Sequence, residues 1–352
     1  MGENEFLLYG ANGYTGQLIA ELASEYGLKP VIAGRREAPI RSLANKLQVD
    51  YRVGALENRE QVMKVISGAR VVLNAAGPFK YTAKAMIEAC LANKTHYLDI
   101  TGEMPVFEMA KLYNDKAIGE GIMVMPGVGF DVVPTDCLAL FLKNKLPDAC
   151  MLKLAFTTLH GGISHGTATT IAESVGEDGA VRFKGKIVNV PVGHKSMWID
   201  FGQHRQLVMS IPWGDIATAY HTTGIPNIET YTGISPAIYR LFQFQKLYNW
   251  VLRTRVVRSY IKRRINNRAP GPSDEQRIKA KSLVWGEVTN QAGTNVCARQ
   301  SGPEGYTLTA HSSLIILKKV FSGEFKPGYH TPAEMYGADL ILEVPNVKRE
   351  LI

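Results

Sequence analysis

The stretch EFLLYGANGYTGQLIAEL (residues 5–22) places Gly10, Gly13 and Gly16 at three-residue spacing between an apolar run and an amphipathic one. FLLYG reads as a short buried strand. YTGQLIAELASEYG reads as a helix, with apolar residues at helical spacing and Gly27 closing it. Glycines alone say little, since most such patterns are ordinary turns. Between a first strand and a first helix they acquire a mechanism. Gly10 permits the tight turn, Gly13 lets backbone approach a pyrophosphate, and Gly16 lets the helix pack close on the sheet. The free N–H groups and the positive end of the helix then hold phosphates. The cradle so read takes in Gly10, Asn12, Gly13, Tyr14, Thr15 and Gly16.

Outward from that turn, strands and helices alternate. KPVIAGRR gives a second strand, APIRSLANKL a helix, VDYRV a third strand, NREQVMKVI a helix and ARVVLNAAGPF a fourth strand. AKAMIEACLAN, THYLDI, PVFEMAKLYNDKAIGEG and IMVMPG continue the pattern to a sixth strand. Such alternation predicts βαβ units with right-handed crossovers and a parallel sheet covered on both faces, the doubly wound nucleotide-binding arrangement.

The end of the second strand selects the cofactor. An NAD site carries Asp or Glu there for the ribose 2′-hydroxyl, whereas this chain reads AGRR, with Arg35 and Arg36. Two guanidiniums suit a 2′-phosphate, and one charge-assisted bond of roughly 1.5–3 kcal/mol gives a preference of about ten-fold or more. NADP(H) is the expected cofactor. Asn74, Ala75, Ala76, Gly77, Pro78 and Phe79 supply the next contact: small residues end the fourth strand, and Gly-Pro turns the chain over the crevice where open α/β sheets bind ligands.

The chain has 352 residues, of which 45% are hydrophobic and 20% charged, which points to two globular domains rather than to disorder. Cys90, Cys137, Cys150 and Cys297 lie far apart and form no CxxC, so free thiols are expected and no metal site. No basic-then-apolar leader opens the sequence and no apolar run reaches the roughly 18 residues of a spanning helix. The expectation is a cytoplasmic protein. Its formal charge of +8 is concentrated: between Arg240 and Lys281 twelve Lys and Arg face only Asp274 and Glu275, a balance of +10, and everything else together is −2.

The combination GANGYTG, AGRR, VVLNAAGPF, THYLDITGE and MPGVGFDVVPTD resembles the saccharopine dehydrogenase (saccharopine reductase) superfamily, more narrowly its trans-acting enoyl reductase and saccharopine dehydrogenase-like oxidoreductase branch. SHGTATTIAES, RAPGPSDEQR, GYTLTA and FKPGYHTPAEMYGADLILEV agree, so the resemblance runs along almost the whole chain. It implies an α/β fold with an NAD(P)-binding Rossmann domain at 1–130, an inserted α+β second domain for substrate and dimerisation at 131–330, and a C-terminal helix in 331–352 that returns to the first domain. It also implies NADP(H) as cofactor. One departure is visible: where related chains often carry an acid after the third strand, near the adenine, this one reads GALEN, with Ala55.

Hydride transfer needs positioning and at most one proton donor. No tyrosine has Lys four residues on, so a short-chain-dehydrogenase mechanism is excluded, and neither GxSxG nor HExxH occurs. The catalytic candidates are Asp131, just past the sixth strand, and His160 and His165, which flank the glycines of LHGGISHGT. Asp136 suits the first turn of the following helix. Tyr97 and Asp99 stand at a strand end, and Thr101 and Glu103 are placed to cap the next helix.

The segment SPAIYRLFQFQKLYNWVLRTRVVRSYIKRRINNR (235–268) reads as a basic amphipathic helix near 236–266. It can lie in a membrane interface against anionic lipid, cover the second domain's sheet, or line an acidic partner such as a carrier protein. Nucleic acid is not expected, and a second copy of the chain is a candidate partner. Three functions follow. The first is an NADPH-dependent reductase of an enoyl, carbonyl or imine group on a lipid-like substrate. The second is a saccharopine-type C–N oxidoreductase, which needs converging Arg or Lys in the inter-domain cleft. The third is a non-catalytic NADP-binding protein at a lipid surface.

Overall fold

The computed structural model describes residues 2–174, 176–245, 249–250, 254, 257, 263–265 and 269–352. The chain divides into two units, the first made of residues 1–133 and 306–336, the second of 134–305 and 337–352.

The first unit opens with β1 (Glu5–Tyr9), α1 (Tyr14–Leu22), β2 (Lys29–Gly34), α2 (Glu37–Leu47), β3 (Tyr51–Val53) and α3 (Arg59–Ile66). It continues with β4 (Val71–Asn74), α4 (Phe79–Ala92), β5 (His96–Asp99), α5 (Met104–Lys111), α6 (Asn114–Glu120) and β6 (Met123–Met125). The six strands are the six expected, and all pair in parallel in the order 3-2-1-4-5-6. Successive strand residues face opposite sides. Leu7, Val31, Val72, Tyr97 and Val124 join Val65, Met86, Ile87 and Val106 in one core. Phe6, Leu8, Ile32, Leu73 and Leu98 are buried on the other face. Burial on both faces explains why these strands are unbroken apolar runs.

The second unit contains α7 (Val133–Lys145), β7 (Met151–Leu159), α8 (His165–Ser174), β8 (Gly179–Phe183), β9 (Lys186–Val190), β10 (Ser196–Asp200), β11 (Arg205–Ser210) and α9 (Asp215–Thr223). β12 (Asn227–Gly233), α10 (Pro236–Gln243), α11 (Asp274–Lys279), β13 (Lys281–Thr289) and β14 (Asn295–Pro303) follow. Its sheet runs β10-β11-β12-β7-β13-β14 and then the C-terminal strand, with the β8–β9 hairpin off β12. Every pairing is antiparallel except β12 with β7. Leu138, Leu142 and Ala219 from α7 and α9 cover one face through Leu152, Leu154, Ile228 and Val284. On the other face Tyr231, Trp285 and Val208 meet Ile199 and Phe201 of the β10 edge, and Arg299 of β14 bonds Asp200 at 2.9 Å. The sheet therefore curls until its first strand reaches its sixth.

The chain returns to the first unit through α12 (Gly305–Phe321), β15 (Gly328–Tyr329), which adds a seventh parallel strand beside β6, and the short α13 (Pro332–Tyr336). Here the structure differs from the expectation for 331–352. The returning helix is 305–321, with ten buried residues, while beyond α13 the chain goes to the second unit, where β16 (Lys348–Leu351) pairs with β14. Arg349 holds that end in place by bonding Ala338 O at 2.7 Å and lying 3.9 Å over the Phe141 ring. The basic segment is described in part: α10 is present as a helix of eight residues, and most of 246–268 lies outside the described residues.

Candidate functional site

The glycine turn has the shape its sequence demands. Gly10 sits at φ +83°, and a Cβ there would fall 2.7 Å from Ala76 N and 2.8 Å from Ala75 C. A Cβ on Gly16 would fall 2.5 Å from Gly10 O, so α1 can press against the turn only without one. Gly13 is different: a Cβ there would meet only Gly10 O, at 3.2 Å, and is otherwise in open space. As N-cap it offers no side-chain acceptor, and the first turn of α1 holds no acid. No side-chain cap and no first-turn acid of α1 itself offsets the positive end of the helix, as a pyrophosphate site requires. Gln17 Nε2 donates to Asn12 O at 3.1 Å and Tyr14 packs edge-on against Tyr306 at 5.0 Å, which fixes the turn from both sides.

Arg35 and Arg36 follow β2 directly and are exposed; among the described residues neither makes an ion pair or hydrogen bond. Glu37 pairs instead with Arg41. At the third strand, Ala55 donates its N–H to Gln61 Oε1 at 2.8 Å, and Tyr9 donates to Gly54 O at 3.0 Å. Burial, then the charge of Glu57, pushes the Tyr9 phenol up to about 12, so it serves as a neutral donor.

The β4–α4 turn lies against the glycine turn, with Ala75 N donating to Tyr9 O at 2.8 Å. Asn74 orients it: Oδ1 accepts from Ala76 N at 3.1 Å, and Thr82 Oγ1 donates to Ala76 O at 2.7 Å. The same Asn74 sends Nδ2 to Tyr97 Oη at 3.4 Å, and Tyr97 donates to Asp99 Oδ2 at 2.6 Å. Asp99 Oδ1 then accepts from Thr101 N at 2.9 Å and Gly127 N at 3.0 Å. One buried carboxyl thus ties together the three loops that leave β4, β5 and β6. Burial pushes Asp99 up to about 6, against the Tyr97, Thr101 and Gly127 bonds that favour its anion.

Glu103 does not cap the helix that follows it. Its position is the N-cap of α5, yet its carboxylate turns to α4, taking Phe79 N–H at 2.7 Å and Lys80 N–H at 2.9 Å. Beside it, Asp131 lies flat on Gly102, where a Cβ would fall 2.5 Å from Asp131 Oδ2. Asp131 is partly exposed at the carboxyl end of β6, and burial, then the charge of Glu103, pushes its carboxyl up to about 7. The loop that carries it is anchored by α12, with Phe130 N donating to Thr309 Oγ1 at 2.9 Å and Ser312 Oγ to Val128 O at 2.8 Å. These contacts from α12 were not anticipated. The signal is the Thr and Ser placed inside an otherwise apolar helix.

The first unit therefore brings together the glycine turn, Arg35 and Arg36, the turn from Asn74 to Phe79, and Asp131. His160 and His165 belong to the second unit. His160 is exposed at the end of β7 with φ +56°, and His165 opens α8, its N–H donating to Pro270 O at 2.9 Å. Asp136, also in that unit, accepts from Thr222 Oγ1 at 2.7 Å. A cavity of about 530 Å³ lined by Glu5, Asn45, Asp50, Tyr51 and Arg52 lies at the amino ends of β1 and β3, the end of the sheet away from the cradle. Among the described residues no His, Cys, Asp and Glu group is placed to hold a metal ion, and no helix is long and apolar enough to cross a membrane.

Residues 6–125 match the family model of the saccharopine dehydrogenase NADP binding domain. A saccharopine dehydrogenase-like oxidoreductase of Bos taurus is 30% identical over 176 residues, 44% of this chain and 41% of the relative. A lipid droplet localized protein of Caenorhabditis elegans is 30% identical over 158 residues, 41% of this chain and 37% of the relative. The chain thus spans less than half the length of these relatives. Among solved structures, the apo saccharopine dehydrogenase (L-Glu forming) of Saccharomyces cerevisiae has the same fold, with a TM-score of 0.67 at 12% identity over 99% of this chain and 100% of that one.

Proposed function

We propose that the chain is an NADPH-dependent reductase of an enoyl or carbonyl group on a lipid-like substrate, since residues 6–125 match the saccharopine dehydrogenase NADP binding domain. The observation that carries this function is the placement of Asp131, a carboxyl at the strand-end edge of the sheet packed onto Gly102, where burial, then the charge of Glu103, pushes it up to about 7. The glycine turn holds the pyrophosphate, Arg35 and Arg36 the 2′-phosphate, and the turn from Asn74 to Phe79 walls the crevice. NADPH supplies a hydride when bound. A C=C or C=O group that takes up a hydride must also take up a proton on its other atom, and Asp131 delivers it. Solvent then returns the proton to Asp131.

The enoyl alternative rests on the resemblance of the quoted motifs to the trans-acting enoyl reductase branch. The lipid-like substrate is supported by α10. Ile238, Leu241 and Phe244, at three-residue steps, are 49%, 63% and 61% exposed, while Gly193 lies against Tyr239 and Phe242 on the other side of the helix. A stripe of large apolar side chains facing water beside a basic segment suits an anionic lipid surface better than a packed sheet. The name of the Caenorhabditis elegans relative points the same way.

The test is NADPH oxidation, followed by absorbance, against a panel of 2-enoyl and ketone acyl esters presented in micelles. Wild type oxidises NADPH on at least one class, and Asp131→Asn binds NADPH equally well but turns over at least ten-fold more slowly. Tight NADPH binding with no oxidation on any member of the panel overturns the reductase assignment.

A further inference from the structure

The Glu103 carboxylate is turned away from its own helix, and its partners favour its charged form. Both of its oxygens accept from backbone N–H groups, those of Phe79 and Lys80, an arrangement that favours the anion. Those N–H groups open α4, a helix of fourteen residues whose positive end faces the carboxylate. The negative charge at 103 is thereby pinned. Next to it in the chain, Gly102 has no side chain, and the space a Cβ would take is filled by Asp131, whose Oδ2, Cβ and Cγ lie 2.5, 2.7 and 2.8 Å from that point. Asp131 is pressed onto the backbone at 102 and is left beside the pinned charge.

Other groups pack around this pair. Thr309 and Tyr306, on α12, are neutral. Asp99, on β5, is a second carboxyl, and Glu103 acts on it in the same direction, upward. Lys80 sends its ammonium over the Tyr81 ring, 5.0 Å from the centroid. Of two neighbouring carboxyls, the one with the better hydrogen bonds takes the charge more readily and the other keeps its proton to higher pH.

We propose that Glu103 is a positioning residue for proton transfer: held as an anion by the first turn of α4, it adds to burial in favouring the proton on Asp131, which stands ready to act as an acid. The inference rests on the assignment of Asp131 as the proton donor. It also gives Gly102 a role, since a Cβ there would collide with Asp131. Because Phe79 and Lys80 directly follow the Gly77–Pro78 turn, the charge that loads Asp131 is fixed by the same loop that walls the cofactor crevice.

The experiment is a ¹³C-carboxyl NMR titration of the full chain, with the Asp131 resonance identified by its loss in Asp131→Asn. In wild type Asp131 titrates near 7, and in Glu103→Gln its midpoint falls by about one pH unit or more. The Glu103 resonance of wild type also inflects at the Asp131 midpoint, a readout that needs no variant should Glu103→Gln fail to fold. An unmoved midpoint in Glu103→Gln, or no inflection at Glu103, overturns the inference while leaving Asp131 as the donor. A midpoint below 5 in wild type overturns the assignment of Asp131 itself. A purely structural Glu103 would lower the melting temperature of the variant without moving the Asp131 midpoint.

Discussion

Tyr97 Oη stands 2.6 Å from Asp99 Oδ2, two residues along the same strand, and both side chains are buried. Residues two apart share a face of a strand, so the phenol lies over the carboxyl and passes it on to Asn74. Tyr97→Phe removes the donor and leaves a buried carboxylate oxygen without it. The variant should lose about 1–3 kcal/mol of stability, measured by urea denaturation, and should bind NADPH more weakly because Asn74 no longer holds the 74–79 turn.

Among the described residues Arg35 and Arg36 make no ion pair or hydrogen bond, so their loss should cost little in stability. Arg35→Ala should weaken NADPH about ten-fold or more and leave NADH nearly unchanged, as one lost charge-assisted bond implies. Cofactor fluorescence titration decides it. Equal weakening of both cofactors would place the arginine on the pyrophosphate or adenine instead.

Gly10 and Gly27 both have positive φ, at 83° and 70°, but only Gly10 has backbone within 3 Å of where a Cβ would be. Gly27→Ala should cost about 1 kcal/mol, the left-handed penalty alone. Gly10→Ala should cost several-fold more and abolish NADPH binding, since Ala76 must move. Paired thermal melts, with and without NADPH, compare the two.

Asp131 gives stability a pH dependence of known sign. Its folded pKa, about 7, is raised above the ordinary 3.8. The folded state holds the proton more tightly than the unfolded one, so this contribution is present below pH 4 and is lost as pH rises through 7. Asp131→Asn removes the loss: its stability relative to wild type should rise between pH 4 and 8, by on the order of 2 kcal/mol. Melting temperatures across that range that keep a constant offset would count against a raised pKa.

Leu241→Glu and Phe244→Glu fall on the exposed stripe of α10 and should leave the melting temperature within about a degree of wild type. Both should reduce co-sedimentation with phosphatidylserine-containing vesicles several-fold. Binding that the substitutions do not touch would remove α10 from the lipid interface.

The parallel sheet was legible because strands buried on both faces must be apolar throughout, and the glycine turn because Gly10 and Gly16 have no steric alternative. Arg35 and Arg36 were legible only as charges set at a strand end; that neither pairs with another described residue is seen in the fold. The bonds of Glu103 were not. Adjacency in sequence assigns it to α5, but its carboxylate reaches back to Phe79, 24 residues earlier. The Asp99 links to Gly127 and, through Tyr97, to Asn74 are hidden in the same way, because hydrogen bonds between parallel strand ends leave no periodicity in the sequence. α10 shows a third limit: an amphipathic stripe has the same spacing whether it faces a sheet or water, and only the fold tells which.

The chain crosses between its two units at 133–134, 305–306 and 336–337, so neither unit is one continuous stretch of polypeptide. During synthesis, β6 emerges about two hundred residues ahead of β15, its partner, and the loop bearing Asp131 emerges well before the Thr309 and Ser312 that anchor it. The nucleotide-binding sheet therefore waits with an open edge while the whole of β7 to β14 is made. Such long-range closure is slow and leaves a nascent strand edge exposed to pairing with neighbours. A fragment cut at the first crossing retains every residue of the proposed cradle but not the helix that anchors the Asp131 loop, and should lose the fixed placement of the proposed acid.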